Sequence, residues 1–220
     1  MSIKAVILAG GLGTRLSEET HLKPKPMVEI GQRPILWHIM KHFSCFGVNE
    51  FIICLGYKGY MIKEYFSNIL LHNSDVTFDI QNGRMEFHGN NSEPWKVTLV
   101  DTGETTMTGG RLKKVSKYLE EDKQIFFTYG DGVSDVNLDR LLKFHNSTKS
   151  KVSVTAVRPP ARFGSLQISE DNAVTGFYEK PIGDGGYING GYFLIETDIL
   201  HIIDDATTSW EDKPMKRLVA

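Results

Sequence analysis

Short apolar segments that alternate with helix-like segments constrain the fold of this chain more than any other feature of its sequence. The run IKAVIL at positions 3–8 ends at glycines, and EFIICLGY at 50–57 and QIFFTYGDG at 124–132 have the same character. Continuous apolar runs of this length are typical of strands that are buried on both faces of a parallel sheet. Segments with helical spacing, such as ILWHIMKHFSCFG and NLDRLLKFHNSTK, lie between them. The alternation predicts an α/β fold with a doubly wound, mostly parallel sheet.

The remaining segments complete this outline. KVTLVDTG at 96–103 and KVSVTAV at 151–157 read as further strands, and the polar stretch at 75–95 predicts a hairpin or flap. After Pro159 the pattern changes to the short runs FGSLQIS, AVTGFYEKP and GYINGGYFLIE. We interpret them as a smaller antiparallel extension over the edge of the sheet. The 220 residues therefore form one domain, with a first lobe at 1–157 and a second at 158–220.

Charge and cysteine content narrow the class of protein. The formal net charge is -2, which gives no global field that would attract nucleic acid or an anionic membrane. The two cysteines, Cys45 and Cys54, lie in apolar segments without metal-type spacing. We predict that both are reduced core residues, as is typical of a cytoplasmic protein. The start, MSIKAVILAG, has too short an apolar run for a signal peptide or a membrane span.

The stretch LAGGLGTRLSEETHLKPKPM at 8–27 places glycines directly before basic residues. A dinucleotide-binding G-x-G-x-x-G counted from Gly11 would need glycine where Leu16 stands, and no G-x-x-x-x-G-K-[ST] string exists. Two readings remain: a nucleotide loop of another type, or a tight strand-to-helix turn with solvated charges. The whole stretch favours the former, because glycines expose backbone N–H groups to a phosphate while Arg15 and Lys25 neutralise it.

Asp131 and the histidine pair at 38 and 42 are two further candidates for a chemical role. Asp131 follows a buried strand, where a carboxylate at the carboxyl edge of a parallel sheet faces the ligand crevice, although Asp-Gly is also typical of a plain turn. His38 and His42 share a helix face, but HIMKH lacks the glutamate of H-E-x-x-H, so we interpret both histidines as structural.

The segments LAGGLGTRL and KPKPM together resemble the signature of the sugar-nucleotide pyrophosphorylases, nucleotidyltransferases that join a nucleoside triphosphate to a sugar 1-phosphate. The resemblance extends over essentially all of the chain, through FFTYGDGVSDV, RFGSLQI, FYEKPIGDGGYINGGYF and TTSWEDKPMKRLV. VDTGETTMTGGR points to the cytidylyl branch of that family. The resemblance implies a glycosyltransferase-A-type fold, with nucleotide bound by lobe 1–157 and sugar phosphate by lobe 158–220.

The activity implied by the resemblance is transfer of CMP from CTP to α-D-glucose 1-phosphate, which yields CDP-glucose and pyrophosphate with Mg²⁺ as cofactor. It also implies a cytoplasmic homo-oligomer that acts early in the synthesis of dideoxyhexoses for surface polysaccharides such as O-antigen. No general base is expected, because a phosphate monoester has its second pKa at about 6 and is already ionised at pH 7.

Site residues follow from the resemblance position by position. The catalytic set is Arg15, Lys25, Asp131 and Lys180, with Asp131 as the Mg²⁺ ligand. Arg111 is expected to line the cytosine pocket, where Gly109 and Gly110 would let the base lie against backbone. The nucleotide-binding residues are Leu8, Ala9, Gly10, Gly11, Gly13, Thr14, Arg15, Lys25, Thr106, Arg111 and Asp131. The sugar-phosphate-binding residues are Gly164, Glu179, Lys180, Asn189 and Gly190.

Alternatives remain open at this point. Members of the family continue beyond KRLVA with a tail that carries a second aspartate for Mg²⁺, so weaker metal binding is expected of these 220 residues. The same chemistry could use another base or another sugar. A catalytically silent nucleotide-sugar-binding protein and a Rossmann oxidoreductase are the other two readings.

Overall fold

A six-stranded sheet forms the centre of the protein. The computed structural model describes residues 3–11, 23–89, 92–159, 165–178 and 186–219, without the side chains of 165–168, 177 and 178. With strands numbered in chain order, the order across the sheet is β7 (Lys96–Asp101), β4 (Glu50–Leu55), β1 (Ala5–Leu8), β8 (Gln124–Tyr129), β12 (Ile188–Glu196) and β9 (Val152–Val157). The first four of these strands are parallel to one another, whereas β12 is antiparallel to both neighbours. The predicted α/β fold with a mainly parallel sheet is confirmed.

Helices cover both faces of this sheet. They are α1 (Ile35–Ser44), α2 (Gly59–Ser67), α3 (Ile69–Asn73), α4 (Thr108–Val115), α5 (Leu138–Thr148) and α6 (Lys213–Val219). Alternate residues of a strand point to opposite faces, so Ala5 and Ile7 join the core under α1 and α5. Val6 and Leu8 join the core under α4 instead. Burial on both faces explains why these strands are continuous apolar runs.

The position of β12 corrects one expectation. The sequence predicted that GYINGGYFLIE belongs to an extension over the sheet edge, but β12 lies inside the main sheet between β8 and β9. Its second half is the reason, because Tyr192 to Ile195 are all buried and contribute alternately to the two cores. The hairpin of β10 (Ser165–Ile168) and β11 (Val174–Tyr178) is a separate antiparallel sheet, as predicted for that part. The main sheet therefore contains strands from both sides of the proposed boundary between 157 and 158, so this boundary does not separate the sheet from an extension.

Smaller elements agree with the sequence in type and differ in detail. The predicted flap is a hairpin of β5 (Asp75–Asp79) and β6 (Arg84–His88), and a short ribbon pairs β2 (Glu29–Ile30) with β3 (Arg33–Pro34). The helical segment that begins at Gly59 is broken at Asn68 into α2 and α3. None of the helices in the described part of the chain is long and apolar enough to cross a bilayer.

Two predictions about individual side chains have different outcomes. Cys54 is buried in β4, where burial raises the pKa of its thiol to about 12. Cys45 is exposed, so its assignment to the core is wrong; it follows the last residue of α1 and lies outside the buried face of that helix. The structural reading of the histidines fits the geometry, since His38 Nε2 donates to the Ile30 carbonyl and His42 Nε2 to the Val136 carbonyl.

Candidate functional site

A cleft opens at the carboxyl ends of β1 and β8, at the edge where parallel sheets bind ligands. Its volume is about 690 Å³, which is within the usual range for small-molecule sites. It brings together residues from six separate parts of the sequence: Leu8, Ala9, Gly11, Lys25, Pro26, Glu104, Thr105, Thr106, Met107, Thr108, Arg111, Tyr129, Asp131, Asn189, Ser209 and Glu211. Eight of the residues that the sequence singled out are therefore neighbours in space.

Lys25 enters the cleft from a single turn of 3₁₀ helix at Lys25–Met27. Pro24 precedes the turn with φ -65° and Pro26 lies within it, and both prolines are buried. The Met27 N–H donates to the Pro24 carbonyl at 2.8 Å, and the Val28 N–H donates to the Lys25 carbonyl at 3.0 Å. Because proline fixes φ, the turn presents the lysine with little backbone freedom. The sequence motif KPKPM therefore has a local structural reason.

Asp131 lies opposite Lys25, just beyond the end of β8. Lys25 Nζ is 3.4 Å from Asp131 Oδ2, which is longer than a typical charge-assisted hydrogen bond. The Asp131 side chain is 47% exposed and that of Lys25 is 16% exposed. Gly130 allows the chain after β8 to lie close to Leu8 and Pro26, because a Cβ on residue 130 would lie 2.8 Å from the Leu8 carbonyl oxygen and 3.1 Å from Pro26 Cγ. Both charged groups thus keep hydrogen-bonding capacity for a ligand.

Arg111 is the most buried charge of the site, with 3% of its surface exposed. Its guanidinium makes five hydrogen bonds within the described residues, all to neutral oxygens. Nη1 donates to the Leu55 carbonyl (3.0 Å), Thr102 Oγ1 (2.7 Å) and the Gly103 carbonyl (2.9 Å). Nη2 donates to the Gly10 carbonyl (2.8 Å) and the Glu104 carbonyl (3.1 Å). One side chain thereby ties together the ends of β1, β4 and β7.

The packing around Arg111 and α4 explains why glycines occur at these positions. A Cβ on Gly10 would lie 2.1 Å from Arg111 Nη1, so this glycine makes room for the guanidinium, whereas a Cβ on Gly11 would have no neighbour within 4 Å among the described residues. The expectation that Gly109 and Gly110 admit a base is wrong. A Cβ on Gly109 would meet the Thr208 carbonyl oxygen at 2.8 Å, and one on Gly110 would meet that of Ala206 at 2.4 Å. These two glycines let α4 pack against the loop that contains Ala206 and Thr208.

Thr106 has a structural partner on either side. Its hydroxyl donates to the Thr102 carbonyl at 2.6 Å and accepts from Lys114 Nζ at 3.0 Å. Gly103, with φ +88°, lets the chain turn back between these residues. The loop from 104 to 107 is thus fixed on the side of the cleft that Arg111 supports.

Asn189 and Gly190 lie on the opposite side, in an irregular part of β12. The pairing with β9 shifts between Asn189 and Phe193, which identifies a bulge rather than the hairpin turn that NGG alone suggests. Asn189 Oδ1 accepts from the Gly191 N–H at 2.8 Å, and Gly191 has φ +81°. A Cβ on Gly190 would lie 2.8 Å from the Thr155 carbonyl oxygen. The bulge directs Asn189 into the cleft, while Gly190 packs on β9.

Sequence reasoning assigned no role to the most highly connected carboxylate of the cleft, that of Glu211. Tyr129 Oη donates to its Oε1 at 2.5 Å, and the hydroxyls of Thr108 and Ser209 both donate to its Oε2 at 2.6 Å. Asn189 Nδ2 donates to Tyr129 Oη at 3.3 Å and extends the network. Glu211 lies in TTSWEDKPM, a segment that contributed to the family resemblance without a role for any single residue. Its hydrogen-bond partners are separated from it by up to 103 residues in the sequence.

The hydrogen bonds decide the ionisation of this network. Burial by itself would raise the pKa of Glu211, but the donors Ser209, Thr108 and Tyr129 outweigh it and lower that pKa from its ordinary value. Burial first, and the bond to Glu211 second, raise the pKa of Tyr129. At neutral pH the pair is therefore an ionised carboxylate beside a protonated phenol.

Several predicted site residues lie outside the described residues, namely Gly13, Thr14, Arg15, Gly164, Glu179 and Lys180. Their roles stay predictions. Among the described residues, no group of three or more His, Cys, Asp or Glu side chains is arranged to hold a metal ion. Asp131 is thus the carboxylate nearest to Lys25 from which a metal role can be argued.

Comparison with known proteins identifies the family of the chain. A family model described as nucleotidyl transferase matches residues 4–217. Glucose-1-phosphate cytidylyltransferase of Salmonella typhi is 56% identical over 216 residues, which cover 98% of this chain and 84% of that protein. A probable glucose-1-phosphate cytidylyltransferase of Bacillus subtilis is 42% identical, with the same coverage.

A solved structure shows the same fold. The crystal structure of HddC from Yersinia pseudotuberculosis complexed with GMP-PN has a TM-score of 0.69 and 28% identity, over 98% of this chain and 86% of that chain. The family match and the two relatives agree on one family, and the solved structure shares the fold. The chain therefore belongs to the nucleotidyl transferase family.

Proposed function

We propose that this chain transfers CMP from CTP to α-D-glucose 1-phosphate and releases pyrophosphate, giving CDP-glucose. The observation that carries the proposal is the approach of Lys25 Nζ to within 3.4 Å of Asp131 Oδ2 in a cleft at the carboxyl ends of parallel strands. The choice of CTP and glucose 1-phosphate is supported by the 56% identity to the Salmonella typhi enzyme of that name.

The residues of the cleft suit a reaction between two anions. The attacking oxygen belongs to a phosphate monoester that is already ionised at neutral pH, so no base has to remove a proton. What the protein has to supply is alignment and positive charge at the α-phosphate. Lys25, held by its two prolines, is the described cation that is placed to do so.

Asp131 fits the requirements of a magnesium ligand. Mg²⁺ in phosphoryl-transfer sites is bound by one or two carboxylates, with waters and substrate phosphates completing the shell. The Asp131 carboxylate is exposed to the cleft and its contact with Lys25 is long, so its oxygens are available. A bound Mg²⁺ would neutralise the phosphates that both substrates bring. Asp131 would orient that charge, and Lys25 would complement it from the opposite side.

The other assignments complete the proposal as the sequence made them. Gly13, Thr14 and Arg15 bind the β- and γ-phosphates, while Glu179 and Lys180 bind the sugar phosphate, with Gly164 close to them. Leu8, Ala9 and Gly11 line the described cleft, which supports their predicted role in binding the nucleotide. A cytoplasmic homo-oligomer that acts early in dideoxyhexose synthesis is the biological setting that we propose.

A substrate panel tests this function. Pyrophosphate release is measured with each of CTP, UTP, GTP and ATP against glucose, mannose and galactose 1-phosphates, with Mg²⁺ present. We expect the largest kcat/KM for CTP with glucose 1-phosphate. Turnover with another pair would reassign the substrates, and tight CTP binding without pyrophosphate release would instead establish a silent nucleotide-binding protein.

A further inference from the structure

We propose that Glu211 accepts a hydrogen bond from a sugar hydroxyl of a bound substrate, either on the ribose of the nucleotide or on the hexose of the sugar phosphate. The inference deepens the proposed function and rests on it. Glu211 lines the cleft, and no role was predicted for it from its sequence context.

The charge of Glu211 decides what it can face. An ionised carboxylate is an acceptor only, so it repels phosphate and requires an N–H or O–H donor. The substrates carry such donors in two kinds of place, the hydroxyls of their sugar rings and the exocyclic amine of cytosine. A carboxylate in a cleft that binds polyanions therefore belongs beside an uncharged part of a ligand.

The hydrogen bonds around Glu211 orient one of its oxygens. Thr108 and Ser209 donate to Oε2, whereas Tyr129 alone of the described donors reaches Oε1. The Thr108 hydroxyl is itself fixed, because it accepts from the Trp210 N–H at 2.9 Å. A carboxylate offers about four acceptor sites. Oε1 consequently has room for one more donor, in a direction that the protein has set in advance.

The location of Glu211 favours a sugar ring over the base. Its partner Tyr129 ends β8, and Asn189 of β12 donates to the same phenol. Arg111 and the loop 104–107 lie across β1, over the ends of β4 and β7. Glu211 thus lies between the start of α4, which it contacts through Thr108, and the β8–β12 side of the cleft, where its Oε1 meets Tyr129 and where Asn189 was expected to line the sugar pocket.

The experiment combines substrates that lack one hydroxyl with a variant that lacks the charge. Binding and kcat/KM are measured for CTP against 2′-deoxy- and 3′-deoxy-CTP, and for glucose 1-phosphate against its monodeoxy analogues. Each series is repeated with Glu211→Gln. Asp212→Asn serves as the matched control, because it removes the neighbouring carboxylate, which pairs with Lys216 and does not line the cleft. If Glu211→Gln does not fold, Glu211→Asp withdraws the carboxylate by one methylene and is used in the same way.

We expect one analogue to lose about 10- to 100-fold relative to its parent in the wild-type protein. Glu211→Gln should abolish most of that discrimination, and Asp212→Asn should retain it. A deoxyribose analogue identifies the nucleotide as the source of the hydroxyl, and a deoxyhexose analogue identifies the sugar phosphate.

Three results would overturn the inference in distinguishable ways. Unchanged discrimination in folded Glu211→Gln would leave the carboxylate as a support for Tyr129. An altered preference for CTP over UTP alone would make it a reader of the base. Absence of CTP binding by the wild-type protein would remove the proposed function, and this inference with it.

Discussion

The floor and the mouth of the cleft use charge in opposite ways. At the floor, which we define as Arg111 with its partners Gly10, Leu55 and 102–104, every observed guanidinium bond goes to the protein itself. At the mouth, which consists of Lys25, Asp131 and Glu211, the charged groups are only partly engaged. The comparison shows that a charged side chain can line a ligand cleft and still serve mainly to hold the protein together. Substitutions at the floor should reduce stability, and substitutions at the mouth should reduce activity.

Arg111→Met gives the largest expected effect and tests the floor. It removes a buried donor set and leaves the Gly103 and Glu104 carbonyls without their observed side-chain partner, so the free energy of unfolding should fall by about 3–5 kcal/mol. Urea unfolding followed by circular dichroism measures the loss. A variant of unchanged stability with altered preference for CTP over UTP would move Arg111 to the mouth and end the distinction.

Lys25→Ala is the corresponding test of the mouth. Loss of one positioned cation should lower kcat by about 10²–10³-fold. Stability should change little, because a partly exposed ion pair of 3.4 Å contributes at most about 1 kcal/mol. Lys23→Ala is the control, since Lys23 pairs with Glu29 on the surface and does not line the cleft. Retention of full activity in Lys25→Ala would reduce the lysine to a loop residue.

Two glycine substitutions sharpen the comparison within one type of residue. Gly110→Ala places a Cβ 2.4 Å from the Ala206 carbonyl oxygen and should destabilise the fold by about 1–3 kcal/mol. Gly11→Ala places a Cβ that meets nothing within 4 Å in the described part of the chain, and it should alter stability by less than about 0.5 kcal/mol. Gly11→Ala should nevertheless weaken CTP binding, which calorimetry detects. Equal stability of the two variants would contradict the packing seen at α4.

The smallest effect concerns the pH dependence of Glu211. Its pKa is lowered in the folded protein, so its contribution to stability is present above the unfolded pKa of about 4.3 and is lost as pH falls through the folded value. The wild-type protein should exceed Glu211→Gln in stability by less than about 1 kcal/mol at pH 7, because solvent screens the group. Thermal unfolding from pH 7 to pH 3 should show this difference shrinking. A difference that grows toward low pH would reverse the sign of the pKa shift.

The buried strands and the local motifs were the parts that could be predicted from the sequence. Apolar runs such as Ala5–Leu8 were predictable because burial on both faces leaves a continuous signal. The turn at Lys25 was readable because Pro24 and Pro26 act locally. The carboxyl-edge rule placed Asp131 correctly at the cleft, since that rule depends on topology alone.

The failures share a different cause. The partners of Glu211 are Thr108, Tyr129 and Ser209, and two of these come from remote segments, so no local pattern announces the network. Gly10 and Gly11 are identical in type and adjacent in sequence, yet one accommodates Arg111 and the other opens to the cleft. Contacts between distant segments decide such roles, and a single sequence does not contain them in readable form.

The insertion of β12 between β8 and β9 has a consequence for the order of folding. Antiparallel pairing of β12 completes the sheet from residues that lie 60 or more positions beyond β8. During synthesis β8 is therefore made long before its partner emerges from the ribosome, and its edge stays open to other strands for that interval. The same long-range closure raises contact order and slows refolding. Nascent chains that stop short of Glu196 should accordingly recruit chaperones more strongly than those that extend past it.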